Sequence, residues 1–405
     1  MPEVKPDIET FAKIKVVGIG GSGGSALNRM IQSKIKGVEF IAFNTDLQAL
    51  HYCLASQKLQ LGKGVTRGLG AGMDPELGRR AAEESQNEIR DMLKGADMVF
   101  ITCGLGGGTG SGASAVVAEI ARDVGALTVG VVTKPFSFEG AQRKDIAERA
   151  HDELIDKVDT IITIPNDRIL QLVDKKTSLL DAFNTVDDTL RQGVQGISEI
   201  ITVPGLINVD FADVKAIMSH AGSALMGIGR ASGESRAIEA AKSAIASPLL
   251  EVSIDGAKGV LFTISGGTSM GMHEVNEAAK VITGNVDPGA KVIFGAILDE
   301  GLKDDIKITV IATGFASALQ NAPFMGMRMT AHAPAPMRPT YNPSSPAKPQ
   351  TKDTGDKAMR GGFEVKPLRR EEVRAAQPSK PSASAAAKDD EDLEIPAFIR
   401  RKLGS

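Results

Sequence analysis

Cysteine is nearly missing from this chain of 405 residues, where only Cys53 and Cys103 occur and no C-x-x-C pair is formed. That scarcity excludes a disulfide framework and a thiolate metal site, and it reads as two small buried hydrophobes in a reducing compartment. Histidine is also sparse. The five residues at positions 51, 151, 220, 273 and 332 have no metal-ligand spacing, so no metal centre built from protein ligands is expected. Excess charge is missing too: 47 Lys and Arg against 50 Asp and Glu leave a formal net charge of −3. This argues against nucleic acid or an anionic membrane surface as the main partner. No apolar run reaches the roughly 20 residues that span a bilayer, and the first residues lack a signal-peptide core. The expectation is a cytoplasmic protein with no direct membrane insertion. Finally, no G-x-x-x-x-G-K-[ST] loop occurs, so any phosphate has to be held by backbone amides, helix dipoles and a metal rather than by a P-loop lysine.

What the chain does have is glycine. The run Gly104–Gly112 lies between a strand-like segment, 98–103, and a helix whose Val116, Val117, Ile120, Ala121 and Val124 share one face. Without Cβ atoms such a loop can turn through φ > 0 and aim successive N–H groups at an anion beside the helix N-terminus. A second loop lies upstream. There 13–19 reads as a strand, Gly20–Ser25 as a turn, and 26–35 as a helix with Leu27, Met30, Ile31 and Ile35 inward. Two strand–glycine–helix units imply one ligand carrying several phosphates. Gly18, Gly20 and Gly23 also satisfy the dinucleotide fingerprint G-x-G-x-x-G, with Asp46 beyond the next strand-like segment. A nicotinamide-dependent oxidoreductase is therefore an alternative, although it leaves the longer glycine loop without a purpose.

Strands are expected at 13–19, 39–43, 98–103, 126–132 and 159–164, alternating with helices, which gives a parallel sheet with helices on both faces and the ligand beyond the strands' carboxyl ends. A long helix over 178–201 follows, with Leu179, Leu180, Phe183, Val186, Leu190, Val194, Ile197 and Ile201 inward. A smaller α/β unit comes next, with helices near 210–220, 233–246 and 271–283 and strands at 223–228, 259–265, 290–298 and 305–313. Beyond Phe315 the periodicity stops in a stretch rich in Pro, Ala, Ser and Lys, which buries too little apolar surface to offset its ordering entropy. The divisions expected are a flexible start (1–12), a nucleotide domain (13–177), a central helix (178–202), a C-terminal α/β domain (203–316), a disordered linker (317–388) and a terminal peptide (389–402). In that peptide an acidic cluster precedes Leu393, Ile395, Phe398 and Ile399 and three basic residues follow, a pattern that suits a segment folding on a partner.

The run Gly106–Gly112 looks like the tubulin signature. Together with Asn44–Asp46, Gly68–Met73, Lys134–Gly140 and Asn208–Asp213, in that order, it makes residues 13–316 resemble the tubulin/FtsZ family of GTPases. The departures are Ser22, Ser25 and Ser111, where that family usually carries Gly, Asn and Thr. The resemblance implies GTP or GDP with Mg²⁺ held by Gly20, Gly21, Ser22, Gly23, Gly24, Ser25, Asn44, Asp46, Ala71, Gly72, Gly104, Gly106, Gly107, Gly108, Thr109 and Gly110. It assigns Glu139 and Arg143 to the sugar and phosphates, Asn166 and Asp187 to guanine, and Phe183 to stacking on the base. From pattern alone, Phe183 fits core packing as well and Arg143 a solvated helix charge.

Asp210 and Asp213, at i and i+3 of a helix start beside Asn208, would by themselves cap and charge that terminus. In the family they complete the nucleotide pocket of the next subunit, which implies a head-to-tail homopolymer with hydrolysis at the interface. The resemblance further implies a division ring at midcell on the inner face of the membrane, with the 389–402 peptide docking membrane-anchored and regulatory division proteins. A nucleotide-binding scaffold without turnover is the remaining alternative, disfavoured by the intact Asn208, Asp210 and Asp213.

Overall fold

A strand covered on both faces has to be apolar along its whole length, and five strands are buried at every residue or all but one. The computed structural model describes residues 12–171, 177–247 and 254–315; the expectations for 1–11, 317–388 and 389–402 lie outside the described residues. Its strands are β1 (Ile14–Ile19), β2 (Val38–Asn44), β3 (Gln57–Gln60), β4 (Met98–Gly104), β5 (Leu127–Lys134), β6 (Thr160–Pro165), β7 (Gly222–Ala231), β8 (Gly259–Gly266), β9 (Lys291–Leu298) and β10 (Ile306–Thr313). The fully buried run of β1, and those of β4 and β5 save their last residues, form the centre of the first half. The helices are α1 (Gly20–Gln32), α2 (Leu47–Tyr52), α3 (Lys63–Thr66), α4 (Pro75–Glu84), α5 (Gln86–Leu93), α6 (Gly108–Asp123), α7 (Ala141–Ile155), α8 (Asn166–Ile169), α9 (Leu179–Thr202), α10 (Phe211–Met218), α11 (Arg236–Ile245) and α12 (Met272–Thr283).

The strands form one sheet in the order β3-β2-β1-β4-β5-β6-β7-β10-β8-β9. β3 through β6 are parallel, β6 meets β7 in parallel over three residue pairs, and β10 runs antiparallel to both β7 and β8. One apolar cluster gathers α1, α9 and α10 on one face of the sheet, and it extends to Met226, Leu261 and Ile311 of the second half. A second cluster lies under α4 to α7, and a third under α11 and α12. The helix α9 lies close over the sheet: a Cβ on its Gly193 would lie 3.2 Å from Met226 Sδ of β7, and one on its Gly196 2.9 Å from Thr309 Cγ2 of β10. In the second half, Arg236 is buried and all five of its N–H directions are met by Glu274, Ser269 and the Asp304 carbonyl, which pins α11 to α12. No helix among the described residues is long and apolar enough to cross a membrane.

Two expectations fail in detail. The segment Gly20–Ser25 is not a turn before a helix at 26–35; the helix begins at Gly20 and ends at Gln32. Glycine costs about 1 kcal/mol per helical position relative to Ala, but close packing outweighs this, since a Cβ on Gly23 would lie 2.6 Å from the Thr102 carbonyl oxygen. On α9, Val186, Leu190, Val194 and Ile197 are buried as expected, whereas Leu180 is 71% and Phe183 41% exposed. The stripe of apolar residues outruns the sheet there, and at its N-terminal end it faces the cavity described next rather than the core. Both cysteines are buried, and burial pushes the Cys103 thiol up to about 12.

Candidate functional site

Helix starts normally need a side chain to satisfy their first amides. Asp46, Asp74, Ser178 and Asp210 do this for α2, α4, α9 and α10. The starts of α3, α5, α7, α8 and α11 have no side-chain cap, and neither do those of α1 and α6, whose N-caps are Ile19 and Gly107. These last two ends open on one cavity of about 330 Å³ at the carboxyl ends of β1, β4 and β5, lined by Gly21, Ser22, Gly104, Leu105 and Gly107–Gly110. Its other wall is made by Thr133, Pro135, Glu139, Arg143, Asn166, Phe183, Val186, Asp187 and Leu190. An adjoining recess of about 300 Å³ shares Gly21 and is bounded by Gly20, Gly24, Ser25, Asn28 and Asn44. Two positive helix ends with free amides make this cavity suited to an anion with more than one phosphate.

The loops are fastened to each other by side chains. Ser22 Oγ accepts the N–H of Gly104 at 2.8 Å, Ser111 Oγ accepts that of Gly106 at 2.9 Å, and the buried hydroxyls of Thr45 and Thr109 lie 2.6 Å apart. Gly106 takes φ +103°, which turns the loop, and Gly23 is a buried residue of α1 itself. Gly18 and Gly23 serve contact between strand and helix: a Cβ on Gly18 would lie 2.5 Å from the Gly23 carbonyl oxygen. The fingerprint match is thereby accounted for without a dinucleotide. The 68–73 loop packs on the start of α6, where Ala71 is buried and its Cβ would meet a side chain on Gly108 at 2.8 Å. Gly72 is exposed at φ +56°. Neither of these nor Asp46 lines the cavity. Asp46 caps α2 instead, accepting from Gln48 N and Ala49 N, while Asn44 Oδ1 accepts from Asp46 N at 3.1 Å.

On the opposite wall Glu139 accepts from Phe136 N at 2.9 Å and from Arg143 Nη1 at 2.6 Å, so the two residues assigned together are already paired. Phe136 is buried and holds Phe183 edge-on, with ring centroids 5.5 Å apart, which presents the Phe183 ring to the cavity. Asn166 is buried, and its Oδ1 has no hydrogen-bond partner among the described residues. Asp187 is half-buried; burial raises its carboxyl to about 6 although Arg29 opposes the shift. An acceptor with no partner among the described residues and a half-buried carboxylate both line the pocket, where a ligand bearing several N–H groups would satisfy both.

Asn208, Asp210 and Asp213 lie elsewhere. All three are exposed, none lines the cavity, Asp210 caps α10 by accepting from Ala212 N at 3.0 Å, and Asn208 accepts from Gly205 N at 2.6 Å. The sequence reading missed Thr133 and Pro135, which follow from β5 ending beside β4, and Thr45, whose hydroxyl braces Thr109.

The chain is similar to known proteins. Residues 13–174 match the Tubulin/FtsZ family GTPase domain and residues 222–316 the FtsZ family C-terminal domain. The chain is similar to an empty FtsZ dimer from M. jannaschii at 45% identity, over 76% of this chain and 90% of that one, with a TM-score of 0.73. A CetZ2 protofilament from Haloferax volcanii, bound to GTPγS, shares the fold at 21% identity, over 76% and 95% of the two chains, with a TM-score of 0.65.

Proposed function

The chain belongs to the tubulin/FtsZ family of GTPases, and we propose that it assembles head to tail into filaments that organise cell division, hydrolysing GTP where subunits meet. The observation that carries this is the pair of uncapped helices, α1 and α6, opening on one cavity whose far wall holds Asn166 and Asp187. Backbone amides of Gly20–Gly24 and Gly107–Gly110 hold the phosphates, Glu139 and Arg143 face the sugar and phosphates, and Phe183 stacks on the base. Asp187 accepts from guanine's ring N–H and exocyclic amine, and Asn166 offers its free Oδ1 to a further donor.

Among the described residues no group of three or more His, Cys, Asp or Glu could hold a metal. That fits Mg²⁺ arriving with the triphosphate, because this ion is held largely by substrate phosphates and water. When bound it would offset the negative charge that the Asp210 and Asp213 carboxylates would otherwise meet. Those two, with Asn208, lie on an exposed surface apart from the cavity, which is compatible with the role the family resemblance gives them at the neighbour's nucleotide, where a carboxylate can polarise the attacking water. A contact of this kind does not close on itself, so it generates filaments and completes the active site at the same time. The M. jannaschii FtsZ dimer and the CetZ2 protofilament support such self-association. We place the filament in a division ring at the inner membrane face, tethered through residues 389–402 to membrane-anchored division proteins.

Phosphate release from GTP with Mg²⁺, followed against protein concentration while polymer is pelleted in parallel, tests the shared site. The rate should stay near zero until polymer forms and then climb. Release proportional to protein at every concentration would mean that each chain holds a complete active site. A second check uses pH. Asp187 is neutral below about 6, and a protonated carboxyl loses an acceptor for guanine. GDP affinity should therefore fall up to about tenfold per pH unit below 6. The profile of the Asp187→Asn variant accounts for titration of the phosphates; identical slopes for the two proteins would remove Asp187 from base recognition.

A further inference from the structure

A cradle made of glycine amides has a weakness: the glycine-rich start of α1 and the loop after β4 have to be held at one spacing before they can meet a phosphate chain, and ordering them costs affinity. Ser22 addresses this weakness. It stands in the first turn of α1, lines the cavity, and accepts the Gly104 N–H at 2.8 Å across 82 residues of sequence. The fit is specific to the pair, because a Cβ on Gly104 would lie 2.4 Å from Ser22 Oγ. A hydroxyl has one proton and two lone pairs. The bond from Gly104 uses one lone pair, and the Ser22 proton, on an exposed hydroxyl that lines the cavity, has no acceptor among the described residues. The Thr45–Thr109 contact fixes the start of α6 to β2, so Ser22 is the side chain that ties the first glycine segment directly to the end of β4.

We propose that Ser22 is a positioning residue for the nucleotide: it holds the start of α1 and the loop after β4 at the ligand's spacing in the free protein and keeps its own proton for the bound ligand. The proposal rests on the cavity being the guanine-nucleotide site. Losing one hydrogen bond of this kind, partly charge-assisted when a phosphate is present, corresponds to about a tenfold loss in affinity.

The test is fluorescent GDP titration of the full chain below its assembly concentration, with amide hydrogen exchange of the segment containing Gly104. Ser22→Ala should raise the dissociation constant about tenfold and speed exchange at Gly104 at least as much in the free protein. Ser22→Thr, which restores the hydroxyl, should recover both. An affinity within twofold of wild type in Ser22→Ala overturns the proposal, and so does weakened binding with unchanged exchange at Gly104. If the wild-type protein binds no GDP, the guanine-nucleotide reading fails first and the proposal with it.

Discussion

Asp213→Asn should bind GTP and GDP within about twofold of wild type while phosphate release by assembled protein falls by about 10²- to 10⁴-fold, the range expected when a group that moves or polarises a proton is lost. The separation follows from position. Asp213 is exposed, lies in the first turn of α10 and lines no part of the cavity, so the amide should leave both nucleotide affinity and stability almost untouched. Asp210 is less clean, because its Oδ1 caps α10. Asp210→Asn keeps the cap and removes the charge, whereas Asp210→Ala also costs about 1 kcal/mol of helix stability. Nucleotide binding and turnover are to be measured on the same preparation. Hydrolysis at the wild-type rate in Asp213→Asn would falsify the shared-site mechanism, and lost GDP binding would place Asp213 at the nucleotide of its own chain.

Much of this could be read from the residues because parallel strands and long helices carry strong periodic signals. The strands of the first half fall within one or two residues of their expected bounds, as does α9, and the glycine loops do open on the cavity. Segments 47–97 escaped. Here β3 is four residues of mostly polar sequence and α2, α3 and α5 are short, too little for periodicity to register. The Asp74-Pro75 start of α4 is a legible signal, an N-cap followed by proline at the first helical position. The joint between β6 and β7 was not legible either, since three residue pairs depend on which edge the chain meets and not on local pattern. The exposure of Leu180 and Phe183 has the same origin: a helix periodicity shows a stripe, not where the sheet beneath it ends.

The motif's glycines divide into two kinds, and the difference predicts opposite phenotypes. A Cβ on Gly107 meets nothing within 4 Å, and its backbone, at φ −95° and ψ 179°, suits any residue. Gly107→Ala should therefore fold and melt like wild type, yet bind GDP at least about tenfold more weakly, because the methyl group enters the space beside the amides that hold phosphate. Gly112, just over one turn into the same helix, is buried where α6 meets α4, and a Cβ there would lie 1.9 Å from the Pro75 carbonyl oxygen and 2.7 Å from Arg79 N. Both are backbone atoms, so no rotamer relieves the clash and the helices have to separate. Overpacking of a rigid backbone contact lies at the upper end of its range, about 3–5 kcal/mol. For a domain of this size that amounts to roughly a 10 °C drop in melting temperature. Thermal unfolding without nucleotide decides the matter for Gly112→Ala. A melting point within about 2 °C of wild type would show that α4 can yield, and the glycine at 112 would then have to be explained by the ligand after all.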